Sequence, residues 1–146
     1  MENTVLVRNS ASRISSVRVL FVIPPYFTLN DFLNADRTSV YPQFTIPYGV
    51  LSLDSYCKKE FRGKLHTSLV DFNVTLSGLV ERGQPHLWET EMEAQLSKEL
   101  LDFKPEIVAI SALFNSSFGY LERIASTIKK SGSCFVVAGG GLPSAA

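Results

Sequence analysis

The chain has 146 residues, enough for one domain that buries about two-thirds of the surface its unfolded form would expose, so no disulfide or metal staple is required. Lysine plus arginine and aspartate plus glutamate stand at 14 each, a balance that gives no general pull toward nucleic acid or anionic lipid. No apolar run is long enough to span a membrane.

Residues 1–16 read as a polar leader carrying Arg8 and Arg13, without an apolar run of signal-peptide length. From Val17 onward, over residues 17–146, apolar strands alternate with helical patterns, the signature of a parallel sheet covered on both faces. The first strand runs from Val17 to Ile23 and is ended by Pro24 and Pro25. A long connection from Pro24 to Pro47 follows, rich in aromatics: Tyr26, Phe27, Phe32, Tyr41 and Phe44. Connections longer than about 12 to 15 residues in compact domains are mostly functional or disordered, and this one is too apolar for disorder. It suits a cover over a flat apolar ligand, or equally a loop packed over the sheet edge or a neighbouring domain.

A helix is predicted over Tyr48 to Phe61, with Pro47 near its first turn, a buried stripe of Val50, Leu53, Cys57 and Phe61, and Gly63 as its stop. The second strand spans His66 to Asp71. A second helix over Glu89 to Phe103 carries Met92, Leu96 and Leu100 at helical spacing, and Pro105 closes it. The third strand holds Ile107 to Ile110. Ser116 or Ser117 is positioned to cap a third helix whose stripe is Leu121, Ile124, Ala125 and Ile128, with Lys129 and Lys130 suiting its C-terminal dipole and Gly132 ending it. The fourth strand is Phe135 to Ala138. Doubly wound domains commonly continue to a fifth strand and helix, so the fourth strand is expected to be an open apolar edge and the chain an N-terminal piece of a longer protein or an unusual partial domain.

Two small-residue turns stand where strands stop: Ser111-Ala112-Leu113 after the third and Gly139-Gly140-Gly141 after the fourth. In open α/β sheets the carboxyl edge is where ligands bind, and small residues there let a ligand approach the backbone. Cys57 and Cys134 are isolated from each other, which excludes zinc and redox-pair spacing and fits core thiols in a reducing cytoplasm. Other chemistries lack their marks. The first strand ends in prolines rather than in an acidic pair, a Gly-x-Gly-x-x-Gly turn or a Walker lysine loop, and no Ser-His-Asp or Cys-His set falls at loop positions.

The sequence of pieces resembles the N-terminal cobalamin-binding domain of cobalamin-dependent radical SAM enzymes. The pieces are Pro24-Pro25-Tyr26 after the first strand, Pro47-Tyr48-Gly49-Val50, Val70-Asp71-Phe72-Asn73, Lys104 to Leu113, and Ala138 to Pro143. The wider family carries Asp-x-His-x-x-Gly after the second strand, Ser-x-Leu after the third and Gly-Gly after the fourth. Here Ser111 with Leu113 and Gly139 with Gly140 match the last two. The first is broken, since Asp71 is kept but Asn73 stands for the histidine and Leu76 for the glycine. The resemblance therefore implies cobalamin bound base-off, without a histidine ligand from this chain and with no metal-ligating residue of its own. His66, at the far end of its strand, and His86, in an exposed turn, are poor substitutes.

On this resemblance the expected fold is a flavodoxin-like, Rossmann-like doubly wound sheet of order 2-1-3-4. The corrin would lie over the carboxyl edge and the nucleotide tail would pass between the Ser111 and Gly139 turns. The implied contacts are Pro25, Tyr26, Tyr48, Asn73, Ser111, Leu113, Asn115, Ser116, Gly139, Gly140 and Gly141. The implied partner is a radical SAM domain downstream, which would hold an iron–sulfur cluster and S-adenosylmethionine and pass a methyl group. The cluster motif Cys-x-x-x-Cys-x-x-Cys is absent here, so no catalytic residue is assigned. Two other readings stay open: a cofactor-free interaction domain that has lost its ligand, and a small-nucleotide binder using the glycine turn.

Overall fold

The structure is a computed structural model that describes residues 16–34, 46–132 and 134–141, without the side chains of Phe32 and Asn115. Residues 1–15 of the leader, Tyr41, Phe44, Leu142 and Pro143 fall outside the described residues. Four parallel strands form one sheet in the order β2-β1-β3-β4: β1 (Val17–Ile23), β2 (Leu65–Asp71), β3 (Ile107–Ser111) and β4 (Phe135–Gly139). Together with the flanking helices this is the flavodoxin-like α/β arrangement expected from the alternation of elements. Register runs from Val17 opposite Leu65, Val19 opposite Ile107, and Ile107 opposite Phe135. The strands start and stop within one residue of their expected bounds.

Strand parity divides the core, because successive side chains point to opposite faces. On one face Leu20, Val22, Val70, Val108 and Ile110 are buried under three helices: α3 (Phe72–Glu81), α4 (Trp88–Phe103) and α5 (Phe118–Ser131). These contribute Leu76, Leu79, Met92, Leu96, Ile124 and Ile128, and a run of edge-on rings links Phe72, Trp88 and Tyr120. The other face has the smaller cluster of Val19, Phe21, Ile23, Tyr26 and Val50, and among the described residues its covering helix is α2 (Tyr48–Phe61), which packs along β2. A short helix, α1 (Leu29–Asn34), lies in the long connection, opened by a reciprocal cap in which Asp31 accepts from the Thr28 N–H and hydroxyl while Thr28 Oγ1 accepts from the Asp31 N–H.

One helix is added and two local expectations are corrected. Residues 72–81, for which the sequence reading gives no element, form α3: the Asp71 carboxylate caps it by accepting from the Asn73 N–H at 2.9 Å, and Phe72, Leu76 and Leu79 recur at helical spacing and are buried. Neither Ser116 nor Ser117 caps α5. A tight turn, Asn115–Ser117, precedes the helix and aims both hydroxyls at the β1 loop instead. The stripe expected on α2 is mostly open: Val50 is buried, but Leu53 stays 51% and Phe61 57% exposed, because α2 sits toward β2 and leaves the β3–β4 half of that face bare.

Candidate functional site

The carboxyl ends of β3 and β4 meet in register, Ser111 beside Gly139, and the ladder is extended by the Ala112 N–H donating to the Gly139 carbonyl at 2.8 Å. The two turns thus share one rim. Above them, on the face carrying Phe21 and Ala109, opens a cleft of about 380 Å³. Tyr26, Tyr48, Ser111, Leu113, Gly139 and Gly140, all expected at a site, line it. The other lining residues are Phe21, Ile46, Pro47, Gly49, Val50, Leu53, Ala109 and Ile110, and none of the fourteen carries a charge. The small residues Ala109, Ser111 and Gly139 share one strand parity, which makes this part of the floor shallow.

The three glycines have different reasons to be glycine. A Cβ on Gly140 would lie 2.5 Å from the Ala112 carbonyl oxygen, at a φ of +108° that side-chain-bearing residues avoid, and one on Gly141 would lie 2.9 Å from the Leu113 oxygen. Those two let the β3 and β4 turns pack against each other. A Cβ on Gly139 would meet nothing within 4 Å. Among the described residues nothing demands glycine there, and the space it leaves opens into the cleft.

Five expected contacts stand outside this lining. Asn73 is 4% exposed, and its carboxamide accepts from the Tyr26 N–H at 2.8 Å and donates to the Pro24 carbonyl at 3.2 Å and to Asp71 Oδ1 at 2.9 Å. Ser116 donates to the Tyr26 carbonyl, and the neighbouring Ser117, fully buried, donates to the Pro25 carbonyl at 2.8 Å. Asn73, Ser116 and Ser117 therefore hold the loop that contains Pro25 and whose Tyr26 forms a wall of the cleft. Tyr26 also meets Phe114 edge-on at 5.4 Å, and the Leu29 N–H donates to the Tyr120 hydroxyl, whose ionisation burial pushes above the usual range. Gly141 packs on Leu113. Asn115 opens the turn before α5, and its side chain is outside the description.

Below the cleft the same sheet face continues as a groove of about 600 Å³ between the sheet and α2, joined to the cleft through Phe21, Leu53 and Ala109. Cys57 lies on its wall. Cys134 precedes β4, and burial pushes its thiol up, away from the reactive thiolate. His66 on β2 and His86 in the turn Pro85–Leu87 are exposed and line neither space. Among the described residues no group of histidine, cysteine, aspartate and glutamate is placed to hold a metal ion, and no helix is long and apolar enough to cross a membrane. The arrangement offers a neutral, mostly apolar lining in which Ser111, Tyr26 and Tyr48 carry the side-chain hydroxyls, the composition common to small-molecule clefts. Comparison with protein-family models, curated proteins and solved structures finds no match to this chain.

Proposed function

We propose that this domain is a cobalamin-binding module, similar to the front domain of cobalamin-dependent radical SAM enzymes, in which a cluster domain bearing S-adenosylmethionine works beside it. The observation that carries the reading is Gly139: a strand-end glycine crowded by none of the described residues, paired in register with Ser111, on the floor of an uncharged cleft. The cleft of about 380 Å³ has the size for the pendant nucleotide alone, and the planar macrocycle would lie over its rim. The ring would rest against Tyr26, Tyr48 and Leu113, and the tail would enter over Ala109, Ser111 and Gly139. Ser111 Oγ is the hydroxyl for a polar group of the tail, and the apolar walls exclude water from the ring. When bound, cobalamin supplies a cobalt that accepts and passes on a methyl group.

Asn73 is spent on the loop, so it offers no donor to cobalt. With its tail drawn between the Ser111 and Gly139 turns, cobalamin would bind base-off, and Asn73 would not replace the base. The test is to mix the purified protein with hydroxocobalamin, desalt it and record the visible spectrum, then reduce the complex and record the electron paramagnetic resonance of Co(II). Retained corrin absorption without nitrogen splitting supports the proposal. A colourless protein after desalting refutes it and favours the ligand-free interaction domain.

A further inference from the structure

Followed inward along the strands from its rim, the cleft loses its polar groups. At the rim the strands end, and the Ser111 hydroxyl and the main chain of Gly139 and Gly140 are at hand. Tyr48, 70% exposed, stands at the same edge. Further in, the floor is Phe21 beside Ala109, register partners on the two central strands. Their main-chain groups lie in the plane of the sheet and are spent on the ladders, because β1 pairs with β2 and β3 while β3 pairs with β1 and β4. Opposite this floor α2 contributes Val50 and Leu53. Past Ala109 the lining continues as Val19, Ile107 and Cys57, and the charged members Glu60, Arg62 and Lys64 stand at the far, amino end.

A flat base entering between the β1–β3 floor and α2 therefore has carbon on both faces and carbon ahead of its leading edge. We infer, resting on the cobalamin reading, that Phe21, Ala109 and Leu53 select corrinoids by the base of the nucleotide tail, favouring a benzimidazole over a purine. The benzimidazole of cobalamin leads with a benzene ring bearing two methyl groups, and its one free ring nitrogen lies on the sugar side, toward the polar rim. Adenine leads with a six-membered ring that carries nitrogens and an amine. Buried against Phe21, Ala109 and Leu53, those groups give up their hydrogen bonds to water and find no side-chain partner among the described residues. An apolar slot discriminates by that unpaired cost, whereas the sugar and phosphate, common to both ligands, stay at Ser111 and Gly139.

The test compares three corrinoids on the purified protein: hydroxocobalamin, its counterpart with adenine as the tail base, and cobinamide, which has no tail nucleotide. Titration followed by corrin absorbance gives each dissociation constant. Hydroxocobalamin is expected to bind at least about tenfold tighter than the adenine counterpart, with cobinamide the weakest of the three. Leu53→Gln, at a half-exposed helical position that tolerates the change, sets an amide beside the leading ring and should narrow the preference at least about threefold, chiefly by improving the adenine counterpart. Equal or tighter binding of the adenine counterpart overturns the inference and leaves the cofactor reading standing. Cobinamide binding as tightly as hydroxocobalamin overturns it too, since the tail then lies outside the cleft, and so does a preference unchanged in Leu53→Gln. Retention of none of the three refutes the cofactor reading itself, so the two failures are told apart.

Discussion

Gly139 and Gly140 are adjacent in sequence, yet substitution at each has a different expected consequence. At Gly140 an alanine Cβ would sit 2.5 Å from the Ala112 carbonyl oxygen, a separation that real Cβ atoms essentially never show, and at a φ of +108°. The backbone conformation costs about 1–3 kcal/mol for a non-glycine residue. Pushing the two turns apart adds an overpacking cost of about 1–3 kcal/mol. A loss near 3 kcal/mol lowers the melting temperature of a chain this size by roughly 10 °C. At Gly139 the added Cβ meets nothing within 4 Å, and relief of glycine's extra chain entropy is worth about 0.5 kcal/mol in favour of Gly139→Ala. Gly139→Val folds as well as the parent but places a branched side chain in the cleft, which should weaken hydroxocobalamin binding at least about tenfold. Thermal unfolding followed by circular dichroism and the corrin absorbance retained after desalting read the two effects separately. A Gly140→Ala protein as stable as the parent would refute the packing argument. A Gly139→Val protein that binds corrin with parental affinity would refute the placement of the ligand.

The remaining predictions use the same two assays. Asn73→Ala leaves the buried Tyr26 N–H and Pro24 carbonyl without their partner and is expected to cost about 2 kcal/mol, read as a drop in melting temperature; an unchanged value rejects the clamp. Trp88→Ala, on the sealed face at 2% exposure, should cost about 3–5 kcal/mol, whereas Leu53→Ala, half-exposed on the open face, should cost under about 1 kcal/mol. Equal losses would contradict the asymmetry of the sheet. Glu106 accepts from the Arg18 backbone N–H and pairs with its guanidinium, and these hold its carboxyl below the usual glutamate range. A carboxylate with a depressed folded pKa stabilises above its ordinary pKa of about 4.3, and the contribution fades as pH falls through the folded value. Both groups are more than a third exposed, so Glu106→Gln should lower the melting temperature at pH 7 by only about 2 °C, and the gap should close in acid. A gap that persists at acid pH would contradict that sign.

The sheet was legible because β1, β3 and β4 are short apolar runs closed by proline, serine and glycine, and because helices separate them. Those signals are local. Strand order then follows from topology, and register from the apolar pattern on a sheet face. The closing stripe of α2 was not legible in the same way. Val50, Leu53, Cys57 and Phe61 have helical spacing, but spacing reports only which residues share a face, and how far that face is buried depends on where the helix sits over the sheet. The site was readable at its rim, Ser111 and Gly139, since strand ends carry their own punctuation. Its floor was recoverable from parity: Phe21, Ala109, Ser111 and Gly139 all lie on one side of the sheet, and alternation along β1, β3 and β4 contains that fact.

The Asp71–Asn73 pair shows why one residue type cannot be carried over as a ligand without its surroundings. An imidazole in the place of Asn73 would offer one free ring nitrogen once the other was held by Asp71. A carboxamide offers an acceptor and two donor hydrogens, and here the acceptor takes the Tyr26 N–H while the donors reach Pro24 and Asp71. That satisfies the β1 loop with a buried side chain, and Ser116 and Ser117 complete the fastening from the far side. The loop is consequently tied down at Pro24, Pro25 and Tyr26 by residues from two different connections, so the Tyr26 wall of the cleft is held by the protein's own hydrogen bonds. A wall held in this way lowers the ordering cost of binding, and on the proposed cobalamin reading the same hydrogen bonds would keep Asn73 from cobalt. On the proposed cobalamin reading, loop fastening and the lack of a nitrogen ligand at this position would both trace to Asn73, and they should respond together: Asn73→Ala should loosen Tyr26 and weaken corrin binding without altering the cobalt spectrum of whatever remains bound.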